Sequence, residues 1–197
     1  MGHYYTNDDN LVTDEKVIKV NVLNKVFNFI TDNGVFSKEF LDYGTKLLLE
    51  TIKVNDQING GILDVGCGYG ALGLVLASQT DKIVTMVDVN IRALKLCEKN
   101  AIKNNLENVS IYESNIYENV EGQFSTVVTN PPIRAGKEVV HTIILDAYEY
   151  LVDGGELFIV IKKQHGAKSA LKVLRNKYQC VEVLKKDKGY YIIKCKK

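Results

Sequence analysis

The chain has 197 residues, 46% hydrophobic and 25% charged, with a formal net charge of +1. That is the composition of a globular domain with a real core, not of a disordered or collagenous chain. No run approaches the roughly 18 uninterrupted apolar residues of a membrane span, and the start, MGHYYTNDDN, lacks both the basic and the apolar region of a secretory signal.

Residues 1–16 are polar and are expected to be loosely packed. Val17–Val22 and Lys25–Ile30 alternate with period two around Leu23-Asn24, which predicts a β-hairpin. Gly34–Ser37 reads as a loop, and Ser37 ahead of Phe40, Leu41, Leu47, Leu48 and Leu49 predicts a capped helix to about Val54. Strands and helices alternate from there: strand Ile62–Val65, helix Gly70–Ser78, strand Ile83–Asp88, helix Ile91–Asn104, strands Ser110–Glu113 and Ser125–Thr129, helix Lys137–Leu151. Gly154-Gly155 reads as the turn into Glu156–Ile161, an apolar run typical of a central parallel strand. A helix over Gly166–Lys177 leads to strands Gln179–Leu184 and Gly189–Lys194. Their connection, Lys185–Lys188, is too short for a crossover, so they pair antiparallel.

This alternation predicts an α/β fold: a doubly wound, mostly parallel, seven-stranded sheet closed by an antiparallel hairpin, with a second small hairpin at the N-terminus. Residues 1–197 form one expected domain, with 1–33 as extension and hairpin and 34–197 as the core. Ligands of such sheets bind at the carboxyl ends of the strands. Asp64–Gly70, Asp88, Asn115 and Asn130–Pro132 fall along that rim.

Asp64-Val-Gly-Cys-Gly-Tyr-Gly-Ala-Leu-Gly73 is a strand that ends in closely spaced glycines and opens a helix, and Gly68–Gly73 satisfies G-x-G-x-x-G. Asp88 closes the next strand, 20 residues after Gly68, where a carboxylate can accept from ribose hydroxyls. These features suit any adenosine-type cofactor, NAD included. Asp64 discriminates: an acid there repels a pyrophosphate but suits the amino group and sulfonium of S-adenosylmethionine, directly or through water. The alternative is an Asp that bonds the amides of its own loop.

The only two prolines stand together in Asn130-Pro131-Pro132-Ile133. An amine conjugated to a base ring is a poor nucleophile because its lone pair is delocalised. The Asn130 side-chain oxygen and the Pro131 carbonyl can hold its two protons and aim the lone pair at a methyl group, with the prolines keeping both acceptors fixed.

DVGCGYG, Asp88 and NPPI together resemble class I S-adenosylmethionine-dependent methyltransferases that modify planar amino groups. GVFSKEFLDYGTKLLL (34–49) and TNPPIRAGK (129–137) resemble, more closely, the "methyltransferase small" family, whose members include enzymes making N2-methylguanosine in 16S rRNA. The resemblance runs from about residue 17 to the C-terminus and implies a single-domain form. It implies that Asp64, Gly66, Gly68 and Gly70 hold the methionine end of S-adenosylmethionine and Asp88 its ribose. Val89 packs on the adenine, and Asn115 with the Ile116 amide reads the adenine edge. Phe36, Asp42 and Thr45 belong to a segment that closes over the cofactor, with a core position as the alternative for Phe36. Asn130, Pro131 and Pro132 are the reacting-group residues, Asn130 also touching the cofactor.

Many amino-methylating relatives carry an aromatic residue after NPP that stacks on the base; Ile133 offers apolar contact without a π-face. Tyr69 supplies a ring nearby or is a solvent-facing loop tyrosine. Arg134 and Lys137 either hold RNA phosphates or are merely exposed. His141 reads as a surface or partly packed residue and Tyr190-Tyr191 as strand aromatics. From Lys162 to Lys197 there are 12 Lys/Arg against two acids, leaving 13 basic and 22 acidic groups in residues 1–161. This asymmetry suggests a nucleic-acid partner, unless the lysines are spread over solvated faces.

The function expected is therefore that of a cytoplasmic methyltransferase acting on an exocyclic amine of an RNA base, guanine N2 of 16S rRNA first. Ribosomal RNA or the small ribosomal subunit is the partner, and a monomer the simplest state. Neither a metal nor a membrane is involved, and the four cysteines, without CxxC spacing, are reduced thiols. The alternatives are N-methylation of a protein glutamine or other amide of a translation component and, more distantly, an NAD(P)-dependent oxidoreductase.

Overall fold

The computed structural model describes residues 11–197, so most of the 1–16 segment expected to be loose lies outside the described residues. An antiparallel hairpin comes first: β1 (Lys16–Val22) and β2 (Lys25–Thr31), joined by Leu23 and Asn24. Both turn residues have positive φ, 51° and 60°, the two-residue geometry whose twist matches that of paired strands. Period-two alternation buries Val20, Val22, Phe27 and Phe29 on one face.

The main sheet comprises β3 (Gly61–Val65), β4 (Val84–Asp88), β5 (Val109–Glu113), β6 (Phe124–Thr129), β7 (Leu151–Lys162), β8 (Cys180–Asp187) and β9 (Tyr190–Lys196). Its order is β5-β4-β3-β6-β7-β9-β8, with β3 to β7 parallel and the β8–β9 hairpin antiparallel to β7. Among the described residues the α-helices are α1 (Tyr43–Thr51), α2 (Ala71–Ala77), α3 (Ile91–Lys103), α4 (Lys137–Asp146) and α5 (Ala167–Lys177). Alternate strand residues feed two cores. Ile62, Met86, Val128, Phe158 and Val160 pack with residues of α1, α2, α3 and the hairpin; Leu63, Val87, Val127, Leu157 and Ile159 pack with α4 and α5. Both faces are therefore covered, which is why the central strands are apolar throughout.

Four expected boundaries are corrected. The first helix begins at Tyr43, not after Ser37, because Asp42 is its cap and accepts from Thr45 N at 3.0 Å. Ser37 instead has φ 56° and its hydroxyl donates to Phe40 O, turning the chain. The helix from Lys137 ends at Asp146 rather than Leu151, and Leu151 already opens β7. Gly154-Gly155 lies inside β7 as an irregularity: partners pass from Leu151–Phe124 to Glu156–Thr126, and Gly154 has φ 74°. The last hairpin turns on Lys188-Gly189 alone, both at positive φ, and Lys185–Asp187 belong to β8.

The strand order runs outward from β3 in one direction and from β6 in the other. Their carboxyl ends lie side by side at this reversal, where an open α/β sheet leaves a crevice. The Thr129 hydroxyl ties them together by donating to Val65 O at 2.8 Å.

Candidate active site

The segment from Gly66 to Gly70 leaves β3 and enters α2. Gly66 and Gly68 have φ of 75° and 57°, which other residues rarely adopt. A Cβ on Gly68 would meet nothing within 4 Å, and one on Gly66 only Pro132 Cδ at 3.9 Å. Backbone conformation thus demands these glycines, and the space beside them is open. Gly73, the last glycine of the motif, serves packing: a Cβ there would run into Met86 of β4. The loop is held by Val87 O, which accepts from Gly66 N at 2.9 Å and Cys67 N at 3.0 Å.

Two carboxylates frame it. Asp64 is 1% exposed, and its Oδ2 accepts from Gly73 N at 2.8 Å. Burial pushes its carboxyl up to about 8, against the opposing pull of the Gly73 amide. Of the options left open for Asp64, the bond is made not to an amide of its own loop but to Gly73 in the first turn of α2, and the residue also lines the cavity described below. Asp88 closes β4, with Oδ2 accepting from Gly68 N at 2.8 Å and Oδ1 from Asn90 N at 2.9 Å. Burial raises its carboxyl too, partly offset by the Asn90 and Gly68 amides. Across the crevice, Asn115 and Ile116 follow β5; Ile116 has φ 56°, and its carbonyl accepts from the Ser114 hydroxyl at 3.1 Å.

Asn130 follows β6. Its Nδ2 donates to Asp42 Oδ2 at 3.1 Å and to Thr45 Oγ1 at 2.9 Å. The Pro132 carbonyl accepts from Ala135 N at 2.9 Å, closing the 3-10 turn Ile133–Ala135.

A single cavity of about 630 Å³ touches most of these groups: Phe36, Asp42, Thr45, Asp64, Gly66, Gly68, Asp88, Val89, Asn115, Ile116, Asn130, Pro131, Pro132, Ile133 and Arg134. Gly70 stands behind its wall as the cap of α2. Lys137 lines an adjoining recess of about 200 Å³ with His141, His165 and Ser169. Phe36 is 44% exposed at the cavity wall, so the core alternative does not hold. Tyr69 is not the solvent-facing tyrosine of the second reading: it lines the cavity, but its ring is 4% exposed and packed 5.8 Å from that of Phe29, and its hydroxyl donates to Ser37 O.

The ring that sequence reasoning missed is Tyr190. It lines the cavity with Lys162 and His165, and Lys162 Nζ lies 5.2 Å from its centroid. The readable signal was the antiparallel hairpin itself: pairing β9 with β7 sets Tyr190 opposite Lys162, at the ligand-binding rim. The late lysines divide between two ends of the sheet. Lys162 and Lys188 flank the cavity end, with Lys188 Nζ 4.4 Å from the Tyr43 ring centroid. Lys177 pairs with Glu149 and Lys194 with Glu156, both at 2.7 Å, away from the cavity. Among the described residues no group of three or more His, Cys, Asp or Glu can hold a metal ion, and no helix is long and apolar enough to cross a membrane.

A model of the methyltransferase small domain family matches residues 26–194. The chain is 46% identical to the uncharacterized Bacillus subtilis protein YbxB over 99% of its own length and 98% of that protein. It is 39% identical to ribosomal RNA small subunit methyltransferase C of Erwinia tasmaniensis over 132 residues, covering 64% of this chain and 38% of the relative. Among solved structures, the T. thermophilus 16S rRNA N2 G1207 methyltransferase, in complex with AdoMet and guanosine, superposes with TM-score 0.81 at 25% identity. That match covers 93% of this chain and 50% of the other. The chain therefore spans half or less of the length of these two rRNA enzymes. A Lactobacillus delbrueckii ribosomal protein L11 methylase shares the fold, with TM-score 0.69 at 18% identity over 83% of this chain and 88% of that one.

Proposed function

The chain belongs to the methyltransferase small domain family, whose cofactor is S-adenosylmethionine, and from that premise we propose that it methylates an exocyclic amine of an RNA base, guanine N2 of 16S rRNA first. Residues 34–197 are the catalytic core of one domain, with 1–33 as extension and hairpin. The observation that carries this reading is the single cavity in which an open glycine loop, the Asp88 carboxylate and Asn130-Pro131-Pro132 meet.

The residues fit the cofactor. The open space beside Gly66 and Gly68 suits its methionine end, and the buried Asp64 carboxyl, which burial by itself holds protonated, gives up that proton readily only beside a cation such as the methionine amine or sulfonium. Asp88 takes the ribose side; Val89, Asn115 and Ile116 take the adenine; Phe36 covers them. S-adenosylmethionine supplies an electrophilic sulfonium methyl, which a nitrogen takes by in-line displacement with loss of S-adenosylhomocysteine. Asn130 Oδ1 and the Pro131 carbonyl accept the two amine protons and draw the lone pair out of conjugation. The surplus proton leaves to water, so no general base is required. Ile133 and Tyr190 offer apolar and aromatic surface to the base, and Lys162, Lys188, Arg134 and Lys137 offer charge to its phosphates.

Radiolabelled S-adenosylmethionine, incubated with rRNA and ribosomal subunits from a strain lacking this gene, tests the reading. Label is expected in small-subunit RNA, with N2-methylguanosine in its nucleoside digest. Label confined to protein overturns the RNA acceptor, and another methylated nucleoside overturns guanine N2.

A further inference from the structure

A carboxamide is nearly symmetric in shape. Half a turn about its terminal torsion exchanges oxygen and NH2 at little steric cost. For Asn130 the exchange would be ruinous, because an amine needs an acceptor there and would meet a donor. The surrounding groups oppose it, Asp42 above all. Asp42 Oδ2, 3.1 Å from Nδ2, belongs to a carboxylate, which accepts and never donates. The same oxygen is anchored by Thr45 N at 3.0 Å, the capping bond of α1. The Thr45 hydroxyl points its own proton toward Asp42 Oδ2 at 3.5 Å, which leaves its lone pairs for Asn130 Nδ2 at 2.9 Å. Reversing the amide would set its oxygen against the Asp42 carboxylate and would make the Thr45 hydroxyl turn its proton away from Asp42 to meet it. Thr45 is 6% exposed, so water competes poorly.

We propose that Asp42 and Thr45 are positioning residues that act through Asn130, locking its carboxamide so that the oxygen faces the acceptor amine. The proposal rests on the amine-acceptor reading of Asn130 and reassigns two residues whose family resemblance pointed to the cofactor. The Asp42 charge also polarises the amide along its N–C–O axis, making Oδ1 a stronger acceptor as the amine nitrogen becomes positive. The cap of α1 and the orientation of the reacting-group residue thus share one carboxylate oxygen.

Thr45→Val, which keeps the branched shape and removes the hydroxyl, is the direct test, with Thr45→Ser as the conservative rescue. At saturating S-adenosylmethionine, Thr45→Val is expected to lower kcat about tenfold, the scale of a lost transition-state hydrogen bond. Affinity for S-adenosylhomocysteine by calorimetry stays within about twofold, and Thr45→Ser recovers most of kcat. Because Thr45 acts through Asn130, Thr45→Val adds nothing to Asn130→Ala in the double variant. Nitrogen-15 spectra supply a readout independent of turnover: the Asn130 NH2 protons exchange slowly in the wild type and fast in Thr45→Val. Asp42→Asn, which keeps a capping side chain but not the obligate acceptor, carries the same spectral test if Thr45→Val folds poorly. Multiplying effects in the double variant, or a tenfold loss of S-adenosylhomocysteine affinity with kcat intact, overturn the proposal. Near wild-type turnover of Asn130→Ala overturns instead the amine-acceptor mechanism beneath it.

Discussion

At Asp64, burial and hydrogen bonding oppose each other, and burial prevails, pushing the carboxyl up to about 8. In the unfolded chain an aspartate titrates near ~4. Between those values the folded state keeps a proton that the unfolded state has released, so stability falls as pH rises from about 4 to about 8 and levels off above. Asp88, also raised by burial, adds a slope of the same sign. Asp64→Asn removes the titration while keeping an oxygen for Gly73 N. Denaturant midpoints of the cofactor-free protein at pH 6 and pH 8.5 are therefore expected to differ more in the wild type than in Asp64→Asn. An equal fall in both would place the slope elsewhere. The position of Asp64 before its glycines was legible in the sequence because strand, glycines and helix form one local unit. The partner of Asn130 was not, since Asp42 lies 88 residues away and only the folded chain brings the two together.

At the scale of elements, α3 acts as a surrogate strand for the N-terminal hairpin. Asn100 and Asn104, four residues apart, lie on one face of the helix. Asn100 Oδ1 accepts from Ile30 N at 2.6 Å, and its Nδ2 donates to Ile30 O and Tyr69 O, both at 3.0 Å. Asn104 treats Asn28 likewise, at 3.1 Å each way. Two side-chain amides thus satisfy the edge of β2 and fasten it to the glycine loop. Asn100 is fully buried. Asn100→Ala orphans three backbone groups and should cost about 2–4 kcal/mol in denaturant unfolding, against about 1 kcal/mol for the more exposed Asn104→Ala. Equal small losses would show that water replaces the bonds. Period-two alternation made the hairpin readable, but nothing in its own residues says which helix it meets. The misplaced start of α1 has a similar cause: Ser37 and Asp42 are both good caps by type. In the folded chain Asp42 takes the role by accepting from Thr45 N, while residues 32–34 are tied to α3 by the Asp32–Arg92 ion pair at 2.9 Å and the Asn90 Nδ2 bond to Gly34 O at 3.2 Å.

Over the whole molecule, strand–helix alternation foretold the doubly wound sheet and the rim that carries the cavity, because layer architecture follows from the order of elements. The lie of the late lysines was beyond it, since the chain leaves the cavity end along α5, returns along β8 and leaves again along β9. At the cavity end, Lys162 stands across from Tyr190, and Lys188 occupies the turn between β8 and β9. At the other end, Lys177 already has a carboxylate partner. If RNA is the acceptor, only the first group neutralises phosphates. The logarithm of RNA affinity should then fall steeply with the logarithm of salt concentration. Lys162→Gln with Lys188→Gln should flatten that slope by about 1–2 units, since each phosphate left without its lysine accounts for roughly 0.7–0.9. Lys177→Gln leaves the slope unchanged. A wild-type affinity insensitive to salt argues for a protein acceptor. Equal flattening per lysine replaced, Lys177 included, would mean that RNA is held by diffuse charge, with no binding face around the cavity.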